Sequence, residues 1–488
     1  MKPDLDKYTP TIGIECHVQL KTDSKLFARV SNDARGAEPN TTVSPICFGL
    51  PGVLPYLNQG AVELAVRAGI ALNAQINTFS KFDRKHYFYP DLPKGYQITQ
   101  YDQPIVGEGY VEVEHDGQAV KIGIERAHME EDAGKLTHPD GADYSLVDLN
   151  RAGTPLIEIV SRPDIHSPAV AKRYVRELYL LMKYAGVSDV DLYQGHMRFD
   201  INISVAPKGS AELGTRTEVK NLNSFKSVEK AAQYEFERQV ELLAKGESIV
   251  QETRGWHDAK QKTFSQRGKE EAHDYRYFPE PDLPPIELDQ AFIDDIRQSM
   301  PKSHRQIEAD LIGLGVSLEA AQSLFEYPVL MDKLMAEQEA GADESDMKRI
   351  ANWLSNVVVG ELSKHPDLDT QNSDNFFKYP GHLTKLSKMV EDGSINSSAA
   401  KGLLIGHFTD FIDPMKLAEE AGLLQTTDDA EIEKIVDKVL SDNPKAADDV
   451  KSGQVQAIGF LVGQVMKASG GKVNPKTAQD ILKRRLNH

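Results

Sequence analysis

Acidic and imidazole side chains recur on strand-like segments of this sequence, and their spacing suggests a divalent-metal site. In Thr11–Leu20, apolar residues alternate with polar ones, the pattern of a β-strand with one buried face. Glu15 and His17 fall on the polar face, about 7 Å apart along the strand. A carboxylate and an imidazole so placed can share one metal ion, although an amphipathic strand facing water has the same pattern.

A second chemical signal is a single acid inside an apolar run. Glu158 interrupts the otherwise apolar segment Thr154–Val160. Removing an unpaired carboxylate from water costs several kcal/mol, so we expect Glu158 to lie against a cation, a metal ion or a proton.

Three consecutive acids, Glu130, Glu131 and Asp132, follow His128 at the end of another strand-like segment. Together with the acids and the imidazole described above, they supply the mainly oxygen ligands that Mg²⁺ prefers, in the partial, water-completed shell of nucleotide sites. An acid-rich surface turn would show the same run of residues.

A further strand-like segment, Met197–Val205, places Arg198 and Asp200 on one side and its apolar residues on the other. The segment Thr215–Lys220 repeats the pattern. Several such strands in one sheet would form a polar face over an apolar underside, and such a face can hold phosphates and cations.

Cations alternate with aromatic residues in Lys81–Tyr96 and again in His273–Asp282. Cations bind phosphates and aromatic rings stack on bases, so both segments are candidates for contact with nucleic acid, although aromatic packing within loops explains them as well. Residues 451–488 hold seven Lys or Arg and one Asp, a local charge of +6, which indicates either a nucleic-acid-binding patch or a solvated helix end.

Composition limits the class of protein that carries these residues. The 488 residues suggest about three domains, and the apolar fraction of 40% and charged fraction of 27% are those of a globular protein. No apolar run approaches the about 20 residues that span a bilayer. The first residues lack the apolar core of a secretory signal, so we expect a cytoplasmic protein. The net charge of −18 excludes a surface that is basic throughout.

The two cysteines, Cys16 and Cys47, lack the paired spacing of zinc knuckles. We therefore expect neither a structural zinc site nor a disulfide framework. Cys16 falls on the apolar face of its strand, which predicts an inert core thiol.

The elements that must position these residues change in type along the chain. Up to about residue 290, alternating stretches and turns predict a mainly antiparallel sheet with added helices, an α+β fold. Tyr110–Ile124 is predicted to form a hairpin with its turn at Asp116 and Gly117. Helical periodicity is found in Ala61–Ala71, Ala169–Tyr184, Val228–Leu243, Arg305–Leu314, Leu318–Phe325, Val329–Gln338 and Met347–Val359.

Two breaks divide the chain into regions of different character. They are the proline-rich stretch Phe278–Pro285 and a turn near Asp410–Pro414. We therefore predict a first domain of residues 1–292, an all-α domain of residues 293–409 and a small all-α tail domain of residues 410–488.

Taken in order, many of these segments resemble the GatB family, which forms one subunit of the glutamyl/aspartyl-tRNA amidotransferases. The matching stretches are Gly13–Leu20, Gly49–Pro55, Lys81–Pro90, His128–Gly134, Leu156–Val160, Lys220–Phe225, Gln251–Arg254, His273–Asp282 and Gly459–Lys467. The similarity runs the whole length of the chain, and so many motifs in one order make it specific.

The resemblance implies a catalytic cradle domain similar to the glutamine synthetase and guanido kinase superfamily, then a helical domain and a YqeY-like tail that binds tRNA. It implies that ATP, with Mg²⁺, phosphorylates the side-chain carboxylate of Glu or Asp misacylated onto tRNA(Gln) or tRNA(Asn), and that ammonia displaces the phosphate. The ammonia would come from glutamine hydrolysed on a separate amidase (glutaminase) subunit, and a small third subunit would complete a heterotrimer. Whether one or both tRNAs are used stays open.

Carried over by position, the resemblance assigns site residues. The metal ion would be surrounded by Glu15, His17, Glu131 and Glu158, with Glu130 able to replace Glu131. Ammonia would enter near Lys85 and Glu131, and phosphate, metal or ammonia would be handled by Arg198 and Asp200.

One departure from the family concerns zinc. Some members bind zinc through clustered cysteines near the Gly-Leu-Pro-Gly motif, whereas this chain has Ser44 and the single thiol of Cys47 there, so we predict no zinc. Two other functions compete with the amidotransferase. A non-catalytic tRNA-binding scaffold would leave Glu158 unexplained, and a metal-dependent kinase or ligase for a small acid would leave the helical tail without a purpose.

Overall fold

The computed structural model describes residues 4–139, 141–268, 275–365, 376–409, 411–425, 429–452, 456–470 and 472–486. The chain divides into two units, Met1–His304 and Arg305–His488. The motif residues His273 and Asp274 and the predicted break at Asp410 lie outside the described residues.

The frame of the first unit is a large sheet. Its strands and those of two small sheets are β1 (Tyr8–Gln19), β2 (Phe79–Ser80), β3 (Asp83–His86), β4 (Tyr96–Thr99), β5 (Gly109–His115), β6 (Gln118–Glu131), β7 (Lys135–Thr137), β8 (Leu146–Asp148), β9 (Pro155–Ser161), β10 (Met197–Pro207), β11 (Thr217–Leu222), β12 (Glu252–His257), β13 (Lys262–Gly268), β14 (Phe278–Pro279) and β15 (Ile286–Glu287).

Eleven of these strands form the large sheet, in the order β13-β12-β11-β10-β1-β9-β6-β4-β3-β14, with β5 paired to β6. The described pairs are antiparallel, except that β11 and β12 are parallel. A mostly antiparallel sheet followed by a helical region confirms the predicted mixture of the two kinds of structure.

Strand β1 lies inside the sheet, between β10 and β9. Its apolar residues Ile14, Cys16 and Val18 are at most 1% exposed, whereas Glu15 and His17 are half-buried on the other face. Burial raises the pKa of the Cys16 thiol well above its usual value. The predicted alternation and the predicted core thiol are therefore confirmed.

The predicted hairpin is confirmed as β5 and β6. Asp116 and Gly117 form its turn, with φ of 52° and 74°, the positive values that a two-residue type I′ turn requires. The long second strand of this hairpin carries the acid run into the middle of the sheet.

The helices of the first unit are α1 (Gln59–Ala71), α2 (Pro168–Tyr184), α3 (Phe225–Ala244) and α4 (Gln290–Gln298). The first three were predicted. Ser167 and Ser224 cap α2 and α3, since each hydroxyl accepts from a backbone N–H of the first turn. Phe225 of α3 packs against Phe199 of β10, with ring centroids 6.2 Å apart. Helices α2 and α3 therefore pack on the apolar side of the sheet.

The second unit is helical. Its helices are α5 (His304–Gly313), α6 (Leu318–Phe325), α7 (Pro328–Glu339), α8 (Glu344–Asn352), α9 (Val359–Leu362), α10 (His382–Glu391), α11 (Ser397–His407), α12 (Pro414–Glu420), α13 (Asp429–Asp442), α14 (Pro444–Lys451), α15 (Ala457–Ala468) and α16 (Pro475–Leu486). The predicted helix Met347–Val359 includes a π-helical segment, Trp353–Val358, between α8 and α9. In the described ranges, no helix has both the length and the apolar character needed to cross a membrane.

The first unit continues past the predicted end of the first domain at residue 292 and includes α4. One reason is that Arg67 of α1 donates a hydrogen bond to the Ser299 hydroxyl at 3.1 Å, just after α4 ends. Near the other end of the chain, apolar residues of α13 to α16 form a cluster of their own, from Ile432 to Leu486. The division into three domains stays a prediction.

A buried acid stabilises the second unit. Glu337 on α7 is 2% exposed, and its carboxylate accepts from the backbone N–H groups of Gly381 and Thr384, both at 2.9 Å, and from the Thr384 hydroxyl at 2.6 Å. We expect Glu337→Ala to lower the free energy of unfolding by about 3 kcal/mol, because these donors lose their acceptor. Calorimetry of the full chain measures the change. The exposed neighbour Glu339→Ala is the control, and equal melting temperatures for the two variants would contradict the role of Glu337.

Candidate metal and phosphate site

The polar face of the sheet gathers two histidines and two carboxylates at one point. Strand register brings them together, because Glu158 on β9 lies opposite both His17 on β1 and His128 on β6. The Nε2 atoms of the two histidines are each 3.4 Å from Oε2 of Glu158. Glu130 follows His128 on the same strand face, with Oε1 3.7 Å from His17 Nε2.

The opposite charges of the histidines and the carboxylates compensate for the cost of burying their ionised forms. Burial lowers the pKa of His17, but the hydrogen bond to Glu158 and the charges of Glu158 and Glu130 outweigh it and raise the pKa to about 9. Burial raises the pKa of Glu158, but His128 and His17 reverse the shift and hold the pKa well below its usual value. The acid inside the apolar strand thus lies against two imidazoles.

The arrangement suits a divalent cation. One ligand atom each from His17, Glu130 and Glu158 lie within 4.8 Å of one another. One imidazole and two carboxylates make a partial shell of the kind that Mg²⁺ completes with water and substrate oxygens. His128 is a further candidate ligand, since its Nε2 lies 3.4 Å from Oε2 of Glu158 and 3.9 Å from Oε2 of Glu130. Among the described residues, no other three or more His, Cys, Asp or Glu side chains lie close enough together to hold a metal ion.

Glu130 and Glu131 point to opposite faces of β6, as successive residues of a strand do. Glu130 belongs with His17 and Glu158 to the group of candidate metal ligands, hereafter the metal-binding group, and the Thr99 hydroxyl donates to its Oε2 at 3.4 Å. Glu131 instead accepts from the backbone N–H of Ile98 at 2.9 Å and forms a buried ion pair with Lys94. The structure therefore brings Glu130, and not Glu131, to His17 and Glu158.

Glu15 lies beside the metal-binding group rather than in it. Its carboxylate accepts from Asn202 Nδ2 at 2.9 Å. Burial, together with the charges of Glu158 and Asp200, raises the pKa of Glu15. Glu15 thus faces the carboxylates of Glu158 and Asp200 on the polar side of the sheet.

Asp200 lies beside an irregularity in the pairing of β10 with β11. The register between β10 and β11 shifts between Phe199 and Ile201, so Asp200 lies at the irregularity. Its Oδ1 accepts from the backbone N–H of Asn221 at 2.9 Å, and its Oδ2 is 3.5 Å from Lys220 Nζ. The carboxylate is thus fixed on the polar face next to a cation.

Arg198 lies opposite His17 in the register of β1 and β10. Its Nη2 donates to Oδ2 of Asp132 at 2.9 Å, and Arg151 Nε is 3.3 Å from the same oxygen. The last acid of the predicted run therefore orients two guanidinium groups rather than binding metal.

Lys85 lies among aromatic rings near the metal-binding group. Its Nζ is 4.9 Å from the ring centre of Tyr275 and 5.9 Å from that of Tyr87. Burial lowers the pKa of Lys85, but Tyr277 and then the charges of Glu130 and Glu158 raise it overall. The ammonium form is therefore kept beside the carboxylates.

The two segments in which cations alternate with aromatics pack against each other. His86 stacks on Phe278 with ring centroids 5.0 Å apart, and Arg84 Nε donates to buried Glu280 at 2.7 Å. Packing within the protein thus accounts for much of their aromatic content, which was one of the two interpretations of the sequence.

Sequence reasoning gave no role to two residues of this site. His128 could have been identified from the sequence, because it lies two positions before Glu130 and so shares its strand face. Lys94 carried no such signal, since its pairing with Glu131 depends on how the loop before β4 folds.

Cavities flank the polar face of β1 at both ends. A cavity of about 230 Å³ lies beside Glu15, lined also by Asn202 and Arg216. A second, of about 560 Å³, lies at the other end, lined by Gln19, Arg151 and neighbouring polar residues. Neither cavity is lined by His17, Glu130 or Glu158, so both lie beside the metal-binding group rather than over it.

Comparison with known proteins adds two family matches. Residues 10–294 match the family described as the GatB/GatE catalytic domain, and residues 337–486 match the one described as the GatB domain. The first match contains every strand residue of the metal-binding group.

Curated relatives are similar to the chain over nearly its full length. The B subunit of aspartyl/glutamyl-tRNA(Asn/Gln) amidotransferase from Thermoanaerobacter pseudethanolicus is 47% identical over 482 residues, 99% of this chain and 100% of that protein. Proteins of the same name from Carboxydothermus hydrogenoformans and Persephonella marina are 45% and 44% identical, each over 98% of this chain and at least 99% of their own length.

Proposed function

The chain belongs to the GatB family of tRNA-dependent amidotransferase subunits, and from this membership we propose that it uses ATP and a divalent metal ion to activate a carboxylate on misacylated tRNA. The relatives' names point to Asp-tRNA(Asn) and Glu-tRNA(Gln) as substrates, with the amidated aminoacyl-tRNAs as products. The observation that carries the proposal is the grouping of His17, Glu130 and Glu158 on the polar face of the sheet.

Activation is needed because a carboxylate is a poor acyl donor. In the proposed first step, an oxygen of the side-chain carboxylate attacks the γ-phosphorus of ATP, and ADP leaves. His17, Glu130 and Glu158 would hold Mg²⁺, which when bound neutralises charge on the transferring phosphate. The two cavities that flank β1 have room for the nucleotide and for the aminoacyl end of tRNA.

Cationic side chains would orient the phosphates. The charges of Glu130 and Glu158 favour the protonated form of Lys85. Arg198 is held in place by its hydrogen bond to Asp132. Both cations are suited to contact phosphate oxygens, although Arg198 is already paired with Asp132. Asp200, fixed by the Asn221 N–H, would help to bind the metal or the incoming ammonia.

In the proposed second step, ammonia attacks the activated carbonyl and phosphate leaves. We propose that ammonia enters near Lys85 and Glu131, the latter fixed by Lys94. The ammonia would be released from glutamine by the amidase (glutaminase) partner of the complex, and a small third protein would complete the heterotrimer. Since the substrates are those of translation, the reaction would take place in the cytoplasm.

The architecture we propose has three parts. Residues 1–292 would be a cradle like that of glutamine synthetase and the guanido kinases, which the mostly antiparallel sheet supports. Residues 293–409 would be a helical domain, and residues 410–488 a YqeY-like tail that binds tRNA. The separate apolar cluster of α13 to α16 and the local charge of +6 over residues 451–488 support the tail.

The test is reconstitution. The full chain would be combined with its amidase and small partner subunits, Mg²⁺, ATP, glutamine and either Glu-tRNA(Gln) or Asp-tRNA(Asn). We expect amidated aminoacyl-tRNA that depends on ATP and on this chain. No product with either tRNA would overturn the proposal, and product formation without ATP would exclude the activation step.

A further inference from the structure

Lys25 is buried next to a thiol rather than next to a carboxylate. Its side chain is 1% exposed, and its Nζ is 3.6 Å from Sγ of Cys47. Over the described parts of the chain, the thiol is the one hydrogen-bond partner of this ammonium group, and no carboxylate oxygen lies within ion-pair distance. A buried lysine is normally paired with an acid, so this arrangement needs its own explanation.

The environment of Lys25 lowers its pKa. Burial lowers the pKa of Lys25, and the opposing effects of Cys47 and of the charges of Asp148 and Glu131 do not restore it. A lowered pKa increases the fraction of free amine, which is the nucleophilic form of lysine. The residue thus places an amine where it can react with the sulfur.

The thiol has a small space beside it. Cys47 is 7% exposed, and the Ser44 hydroxyl lies 3.5 Å from its Sγ. A cavity of about 10 Å³ is lined by Cys47, Lys94 and Glu131 among others. That is room for about one water molecule, so a molecule little larger than water can be accommodated next to the sulfur after small side-chain shifts.

From this pairing we propose that Lys25 and Cys47 are a site of reversible covalent modification, in which hydrogen peroxide cross-links the sulfur to the lysine nitrogen. In the first step the thiol attacks one peroxide oxygen, the O–O bond breaks, and sulfenic acid and water are formed. In the second, the Lys25 amine attacks the sulfur, an S–N bond forms, and the sulfenic oxygen leaves as water. The sulfur is oxidised by two electrons and one peroxide is reduced.

The cross-link has two physical consequences. It joins the chain at Lys25 to the segment of Cys47 by a bond instead of a 3.6 Å contact. It also converts the basic Lys25 amine, on which the charge of Glu131 acts, into a much less basic sulfenamide nitrogen. Because a thiol such as dithiothreitol attacks the sulfur and regenerates both side chains, the change is reversible.

Cys16 provides an internal comparison. It is fully buried on the apolar side of β1, and burial with the charges of Asp200 and Glu158 raises its pKa well above the usual value. A thiol that does not ionise reacts slowly with peroxide. Oxidation is therefore expected at Cys47 and not at Cys16.

The experiment is peptide mass spectrometry of the folded full chain after graded peroxide treatment and blocking of free thiols. We expect a peptide pair joined through Lys25 and Cys47, lighter by two hydrogens than the sum of its parts, with trypsin no longer cutting after Lys25. Dithiothreitol should restore the unlinked peptides and the tryptic site.

Two variants test the chemistry. Lys25→Arg keeps a positive charge but has no amine of lowered pKa, and Cys47→Ser removes the sulfur while keeping its size. Circular dichroism checks that each variant is folded, and one folded variant is enough for the test. We expect no linked pair in either and over-oxidised Cys47 in Lys25→Arg. Wild-type Cys47 that stays unmodified, or that oxidises to the same products as in Lys25→Arg without a linked pair, would overturn the proposal.

Discussion

Glu158→Gln is expected to lower the rate of ATP-dependent amidation at least about 100-fold, because it removes a proposed metal ligand whose negative charge would be needed when the phosphates are bound. The amide keeps the size of the side chain but cannot provide the negative charge. His17 and His128 both lie 3.4 Å from the Glu158 carboxylate, so the substitution also removes the group that orients them. The measurement is the amount of Gln-tRNA(Gln) or Asn-tRNA(Asn) formed by the reconstituted enzyme.

The matched control is Glu114→Gln. It makes the same change on β5 of the same sheet, where the side chain is exposed, and should leave the rate unchanged. A Glu158→Gln enzyme that amidates as fast as the control would contradict the assignment of the metal site. It would favour a scaffold that only binds tRNA.

Glu130→Gln and Glu131→Gln are expected to impair amidation in different ways. Glu130 belongs to the metal-binding group, so its substitution should raise the Mg²⁺ concentration for half-maximal activity at least about 10-fold. Glu131 is on the opposite strand face, paired with Lys94. Its substitution should slow amidation, through the ammonia step proposed for it, without changing the Mg²⁺ requirement.

Titration of activity with Mg²⁺ separates the two variants. Glu131→Gln also leaves buried Lys94 without its acid, so its melting temperature should be compared with that of the wild type to exclude partial unfolding. A raised Mg²⁺ requirement in Glu131→Gln with none in Glu130→Gln would reverse the assignment and restore Glu131 as the ligand.

Local patterns were enough to predict most of the elements that carry this site. Alternation identified β1 with Glu15 and His17 on its polar face, and one acid in an apolar strand identified Glu158. The hairpin that brings in β6 followed from Asp116 and Gly117. Each of these signals lies within a single element, where periodicity and turn chemistry act directly.

What could not be predicted depends on register between distant strands. The choice between Glu130 and Glu131 needed the alignment of β6 with β9, which places His128 opposite Glu158. Asp200 lies where the register of β10 and β11 shifts, which no local pattern predicts. Lys25 and Cys47 are far apart in sequence, and nothing local marks them as partners. The roles in catalysis came from the family resemblance and stay predictions.

The most direct test of carboxylate activation on this polar face is to trap the activated acyl group. The reconstituted enzyme would be incubated with ATP, Mg²⁺, misacylated tRNA and hydroxylamine, without glutamine. Hydroxylamine also cleaves the ester to tRNA and forms α-hydroxamate without the enzyme, so the two hydroxamates are separated by chromatography before they are measured. We expect side-chain hydroxamate of the amino acid, with ADP formed in equal amount, for the wild type and for Glu114→Gln but not for Glu158→Gln. Absence of side-chain hydroxamate with the wild type, or an equal amount of it with Glu158→Gln, would contradict carboxylate activation at this site.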